Sequence, residues 1–264
     1  MRVRTILNGC PLRINVSLLA IAIICTAISS LLDKETPRTI CLVIGWVLIV
    51  VAVGPSLLGF AWERATKGKS RRVEDPNTII LGWRQFCQSM DIQKDIKMRV
   101  FSNLRNAYAN GTTIEIGQPV LDRLDGVSIK AVFAHELAHI NRNHSSKKGR
   151  LLFAVLLAGV LLSGVLYCFS PLGSSLFTCS ALLILIGFMG IAMPFISWPL
   201  EYEADLMADQ CVKQGALASS LNTIAALRNM DVTRDFYGHP SINKRIANLD
   251  CSQKTRSKRW YLKL

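Results

Sequence analysis

Apolar residues in this chain fall into long uninterrupted blocks separated by polar stretches. Residues 14–32, 39–62, 151–169 and 174–200 contain no charged side chain. A helix needs about 20 such residues to cross a hydrocarbon core, so each block predicts a membrane span. Gly187, Gly190, Pro194 and Pro199 predict a tilt, a kink or an early end in the fourth. The spans pair into two hairpins, with short connections at residues 33–38 and 170–173. The first block also follows Arg2, Arg4 and Arg13, as a signal peptide would, and Ala27-Ile28-Ser29 could be cleaved, although its apolar run exceeds a signal-peptide core of about 7–15 residues.

The polar stretches, 63–150 and 201–264, are each too small for an obvious core and are expected to fold together as one domain. Residues 66–76 read as a charged connector, 80–90 as a helix and 97–101 as a short strand. Residues 106–111 read as a strand ending in an Asn-Gly turn. Residues 112–116 alternate apolar and polar positions, as a half-buried strand does. Residues 120–124 read as helical. Asp125-Gly126 breaks that helix, and Ser128 can cap the next, which carries residues 130–143.

Composition agrees with a membrane protein: half of the 264 residues are hydrophobic, 19% are charged, and mean hydropathy is +0.31. Whole-chain disorder is excluded by this apolar content. The net charge of +13 is a positive excess that suits anionic lipid. No nucleic-acid motif accompanies it, and no nucleic-acid partner is expected. Twenty-nine of the 31 basic residues fall on one side of a four-span arrangement, which puts both termini and both polar stretches in the cytoplasm. The eight cysteines form no Cys-x-x-Cys pair, so neither a zinc ribbon nor a disulfide framework is expected.

The chemistry lies in His135-Glu136-Leu137-Ala138-His139. Residues four apart share a helical face, so both imidazoles can reach one metal ion, with Glu136 beside them to handle a proton. The pattern arises by accident in roughly 1% of chains of this length, judged from average composition. A catalytic zinc takes three protein ligands and a water. His144, about 180° further round a continuing helix, reads as a solvated or interfacial residue. The better third ligand lies in Glu201-Tyr202-Glu203-Ala204-Asp205, where Glu201 and Asp205 share a face and Glu203 points away.

This ordered set resembles the HtpX-like membrane zinc metallopeptidases, relatives of the CAAX prenyl endopeptidases, over nearly the whole chain. Two spans precede the histidine motif and two more separate it from the Glu-x-x-x-Asp stretch. His239-Pro240-Ser241-Ile242-Asn243-Lys244-Arg245-Ile246 matches the family's His-Pro…Arg-Ile segment, and Asn106-Ala107-Tyr108 with Gly111 matches the strand before the catalytic helix. The resemblance implies one zinc ion held by His135, His139 and Glu201. Glu136 would be general base and acid, and Asp205 would orient a ligand. Arg245 would hold the acidic cluster, and His239 would contact substrate or the developing oxyanion.

The fold class implied is mostly α: four transmembrane helices and a cytoplasmic zincin-type α+β catalytic domain with a small β-sheet. Its divisions are 1–62, 63–150, 151–200 and 201–264. The implied activity is endoproteolysis by a zinc-activated water. The substrates would be polypeptides, membrane proteins among them, in quality control at a bacterial inner membrane. The strand at 112–116 is expected to take substrate as an added strand, through Thr112, Ile114 and Ile116 together with Asn106 and Ala107. Two readings compete: an inactive membrane scaffold or regulator of the same fold, and a basic adaptor whose tail, residues 254–261, binds anionic lipid.

Overall fold

The computed structural model describes residues 65–73, 75–168, 174–236 and 238–261, together with scattered positions between 17 and 51. The described part is mostly helical, with one small mixed sheet. It divides into two compact units: Met1–Trp62 with Lys148–Ser197 and Asp235–Gly238, and Glu63–Lys147 with Trp198–Arg234 and His239–Leu264.

The second unit holds the sheet, in which β1 (Ser70–Arg72), β2 (Lys97–Phe101), β3 (Ala107–Asn110) and β4 (Thr113–Gly117) lie in the order β1-β2-β4-β3. β2 and β4 run parallel, and the two outer pairings are antiparallel. β2 alternates as a half-buried strand should, with Met98 and Val100 buried between exposed Lys97 and Arg99. β4 is covered on both faces: Ile114 and Ile116 are fully buried, and between them Glu115 takes bonds from Lys67 and Asn110. The turn between β3 and β4 contains Gly111 at φ +61°, a conformation glycine adopts without strain.

The helices of this unit are α1 (Trp83–Ser89), α2 (Gln118–Leu121), α3 (Gly126–Asn141), α6 (Ala216–Arg228) and α7 (Ile242–Tyr261). Two longer helices, α4 (His144–Cys168) and α5 (Ser174–Cys211), each contribute residues to both units. α3 starts one turn earlier than its sequence suggests. Asp125 is the cap, accepting the Ser128 N–H at 2.7 Å, so Ser128 lies inside the helix. Both residues are good caps, and Gly126 starts the helix because Asp125 precedes it in extended conformation. From Ser128 to Ile140 all but Lys130 and His139 are buried. Phe133 and Leu137 meet Met98, Ile114, Ile116, Leu217 and Leu221 in one core, with the Trp83 ring edge-on to Phe133 at 5.8 Å. Ser220 Oγ donates to the Ser128 carbonyl at 3.0 Å and ties α6 to the start of α3.

β1 replaces the connector expected over residues 66–76. All three of its residues are exposed and polar, so no apolar alternation announces it. It is an edge strand held by its backbone ladder to β2.

In the first unit, the described positions from 17 to 51 are helical. Leu19 and Ala22 pack with Trp46, Ile186 and Ile191. Leu151, Phe153, Leu157, Val160 and Leu161 of α4 are exposed apolar side chains. The spans expected at 14–32 and 39–62 lie largely outside the described residues. Among the described residues, one helical stretch, Leu185–Cys211 of α5, is long and apolar enough to cross a membrane.

Gly117 is where β4 gives way to α2, with φ −86° and ψ 141°. A Cβ there would stand 1.5 Å from the Leu104 carbonyl oxygen, a backbone atom that cannot swing aside. Gly117→Ala should therefore destabilise the sheet-bearing unit by about 3 kcal/mol, the upper range for forced overpacking. Thermal denaturation reads the loss, and an unchanged midpoint would refute the close approach.

Candidate metal centre

α3 presents His135 and His139 on one side, as the four-residue spacing requires. Their Nε2 atoms are 3.1 Å apart and their rings cross at 86°. α5 brings Glu201, with Oε2 3.6 Å from His135 Nε2 and Oε1 3.4 Å from His139 Nε2. The three donor atoms lie within 4.8 Å of one another. Glu201 is buried, and its Oε2 has no hydrogen bond of acceptable geometry, although His239 Nδ1 is 3.0 Å away. Two imidazole nitrogens, one carboxylate and an orphaned buried oxygen are what a zinc ion would satisfy, so the residues present fit the metal.

One turn beyond Glu201, Asp205 is wholly buried, with Oδ1 2.9 Å from His135 Nδ1. Arg245, from the start of α7, grips it with a two-pronged fork: Nη2 donates to Oδ1 at 2.6 Å and Nε to Oδ2 at 2.8 Å. Its third nitrogen, Nη1, is 3.7 Å from Glu201 Oε2. His239 Nδ1 approaches the same oxygen, and its side chain is 52% exposed. The structure brings His135, His139 and Glu201 together, with Asp205, His239 and Arg245 beside them.

The electrostatics of these side chains follow from burial and pairing. Burial acts to raise the Glu201 carboxyl, yet His239, His135 and Arg245 hold it well below the ordinary carboxylate range. Asp205 is likewise lowered, with Arg245 and His135 outweighing burial. His135 rises to about 10: burial opposes its charge, but Asp205 and Glu201 favour it more. His139 falls to about 3, through burial and the neighbouring His135. Glu136 is buried, and burial raises its carboxyl against the opposing pull of His135 and His239.

Glu136 finds its partner in the sheet. Gly117 N–H donates to the Asn106 carbonyl at 3.0 Å, and hydrogen-bonded pairs alternate in an antiparallel ladder. The backbone groups of Ala107 and Ala109 therefore point away from β4. The outward N–H of Ala109 donates to the Glu136 carboxylate. Sequence reading missed Ala109, because a backbone donor leaves no signature in residue type.

Two expectations need correction. β4 cannot receive an added strand through Thr112, Ile114 and Ile116, since β2 and β3 occupy both its sides and the two isoleucines face the core. β3 lies at one edge of the sheet, with Ala107 on it and Asn106 just before. His144 is not solvated. It is 3% exposed, with its Nδ1 2.8 Å from His139 Nδ1. A 180° offset requires a continuing helix, whereas α3 stops at Asn141, Asn143 takes φ +51° and α4 starts afresh at His144. Asparagine is among the few residues that tolerate that conformation, and this was the available signal.

No curated protein matches the chain. The family model of peptidase family M48 matches residues 84–252, a span that runs from α1 past Arg245 and takes in every residue of the centre. With that match over most of its length, and with a His-His-Glu group that could hold a metal ion, the chain belongs to peptidase family M48 and is a metallopeptidase.

Proposed function

We propose that the chain is a zinc-dependent endopeptidase of the HtpX-like branch, embedded in a membrane and acting on polypeptides. The observation that carries the chemistry is the convergence of His135, His139 and Glu201, from two separate helices, beside the buried carboxylate of Glu136. A zinc ion on these three donors would acidify a water and polarise a peptide carbonyl.

Glu136 takes a proton from the attacking water and hands it to the leaving amine. Its burial suits it to both steps, because a carboxyl raised towards neutrality both accepts and returns a proton readily. The Ala109 N–H keeps its carboxylate aimed. Asp205 holds His135 by Nδ1, leaving Nε2 for the metal, and Arg245 balances the charges of Asp205 and Glu201. His239, half exposed at the rim, is the side chain best able to turn from Glu201 towards substrate and stabilise the oxyanion. The open edge of β3 binds the substrate backbone, with the outward groups of Ala107 forming the first ladder bonds.

Membrane residence rests on the charge-free blocks of the sequence and on the apolar side chains exposed along α4. A water-facing helix does not present Leu151, Phe153, Leu157, Val160 and Leu161 together at no cost. In the four-span reading the basic residues face the cytoplasm, and so does the active site. Protein quality control at a bacterial inner membrane is the physiological role that this reading supports, with membrane proteins as substrates.

Three experiments test these assignments. Glu136→Gln should keep zinc and fold while cleavage of an unfolded model protein such as casein falls by at least about 100-fold, the scale of general acid–base catalysis. Cleavage at the wild-type rate would end the proposed mechanism. Glu201→Ala should emerge from purification without zinc. Glu203→Ala should retain it at an affinity within about 100-fold of wild type, the range for groups that touch a ligand rather than the metal. Equal zinc content in both variants would reject Glu201 as a ligand. Reporters fused after Leu264, or inserted within residues 63–150, should both behave as cytoplasmic, and export of either would overturn the topology.

A further inference from the structure

His144 has no part in the ligand set, yet its side chain is buried. Its ring stands edge-on to that of His139, with centroids 4.9 Å apart and planes at 78°. The two Nδ1 atoms are 2.8 Å apart, so one donates to the other. On its far side, His144 Nε2 is 3.2 Å from Glu203 Oε2. Glu203 is in turn flanked by Arg142 Nε at 3.3 Å and Lys147 Nζ at 4.0 Å.

We propose that His144 and Glu203 form a two-residue strut that positions His139 for metal binding. The inference rests on the metallopeptidase reading of the centre. The directions of the hydrogen bonds follow from counting protons. A cation at His139 Nε2 needs the lone pair there, which puts the ring proton on Nδ1. That proton must be donated, and His144 Nδ1 is the acceptor. The His144 proton then sits on Nε2 and is donated to the Glu203 carboxylate. His135 reaches its carboxylate, Asp205, directly, whereas His139 reaches Glu203 through one interposed imidazole.

The strut has a built foundation. Asn143, in its left-handed conformation, turns the chain so that the first residue of α4 folds back under His139. Lys94 Nζ donates to the Ile140 carbonyl at 3.0 Å and to Asn143 Oδ1 at 2.6 Å, bracing the break from β2's approach. Asn141 Nδ2 donates to the Met90 carbonyl at 2.9 Å. The interruption between α3 and α4 is therefore held from outside, and His144 has little freedom to leave.

The test compares zinc affinity, by chelator competition, and the cobalt(II) absorption spectrum in full-length protein purified in detergent. His144→Phe keeps the ring volume and removes the acceptor, and His144→Ala removes both. His144→Asn places Oδ1 close to where Nδ1 stood and restores an acceptor. The Phe and Ala variants should bind zinc about 10–100-fold more weakly, with an altered cobalt spectrum, because outer partners of metal-bound histidines have effects of that size. The Asn variant should stay within a few-fold of wild type and keep its spectrum. Equal losses in all three would reduce His144 to packing and overturn the proposal, as would no loss in any, or failure of all three to fold. Should His144→Phe alone fail to fold, the Asn and Ala variants decide. Folded wild-type protein that takes up no zinc would instead sink the metallopeptidase reading.

Discussion

A carboxylate with no exposed surface must be neutralised where it stands, and Asp205 is such a group. Arg245 supplies two donors in the planar fork that matches a carboxylate, and His135 supplies the third contact. Three helices are committed by this one cluster, since Asp205 lies on α5, His135 on α3 and Arg245 on α7. Removing one member of such a buried group leaves a naked charge, which costs about 3–5 kcal/mol. The aim of His135 Nε2, and with it the spacing of the donor set, depends on that anchoring.

The same constraint orders the rest of the centre. With Asp205 fixed, Glu201 arrives one helical turn earlier on the same face, opposite both imidazoles. Glu203, between them in sequence, is carried to the other side of α5, where it meets Arg142, His144 and Lys147. One short stretch of acids thus serves two tasks because helical geometry sorts its members by direction. The sheet adds the Ala109 N–H at Glu136, a contact available because β3 lies at the edge and turns alternate backbone groups outward.

What the sequence made legible was what is local and periodic. The two histidines of α3 declare a shared face through their spacing, and Glu201 with Asp205 does the same. The strand at 97–101 lies where it is expected and alternates, whereas the strand expected at 112–116 as half-buried forms at Thr113–Gly117 and is covered on both faces. The order β1-β2-β4-β3 was not legible, because parallel pairing of β2 with β4 is a choice between distant segments, and it puts β4 inside the sheet and β3 at an edge. β1 carried no hydrophobic signature at all. His144 was misplaced by extrapolating a helix past its end, where a single left-handed asparagine changes the direction of everything that follows. The cap of α3 was missed by three residues, for two good caps stand in succession and only the backbone decides between them.

The edge of β3 is four residues long, and its ladder groups are backbone atoms. A guest strand there would be judged by whether its own amides are unpaired and extended, and hardly by the identity of its side chains. Chains locked in helices or completed sheets have nothing to offer such an edge, whereas a segment that has come loose does. If β3 takes substrate as proposed, such an edge would sort proteins by the state of their fold, so damage rather than sequence would mark a chain for cutting.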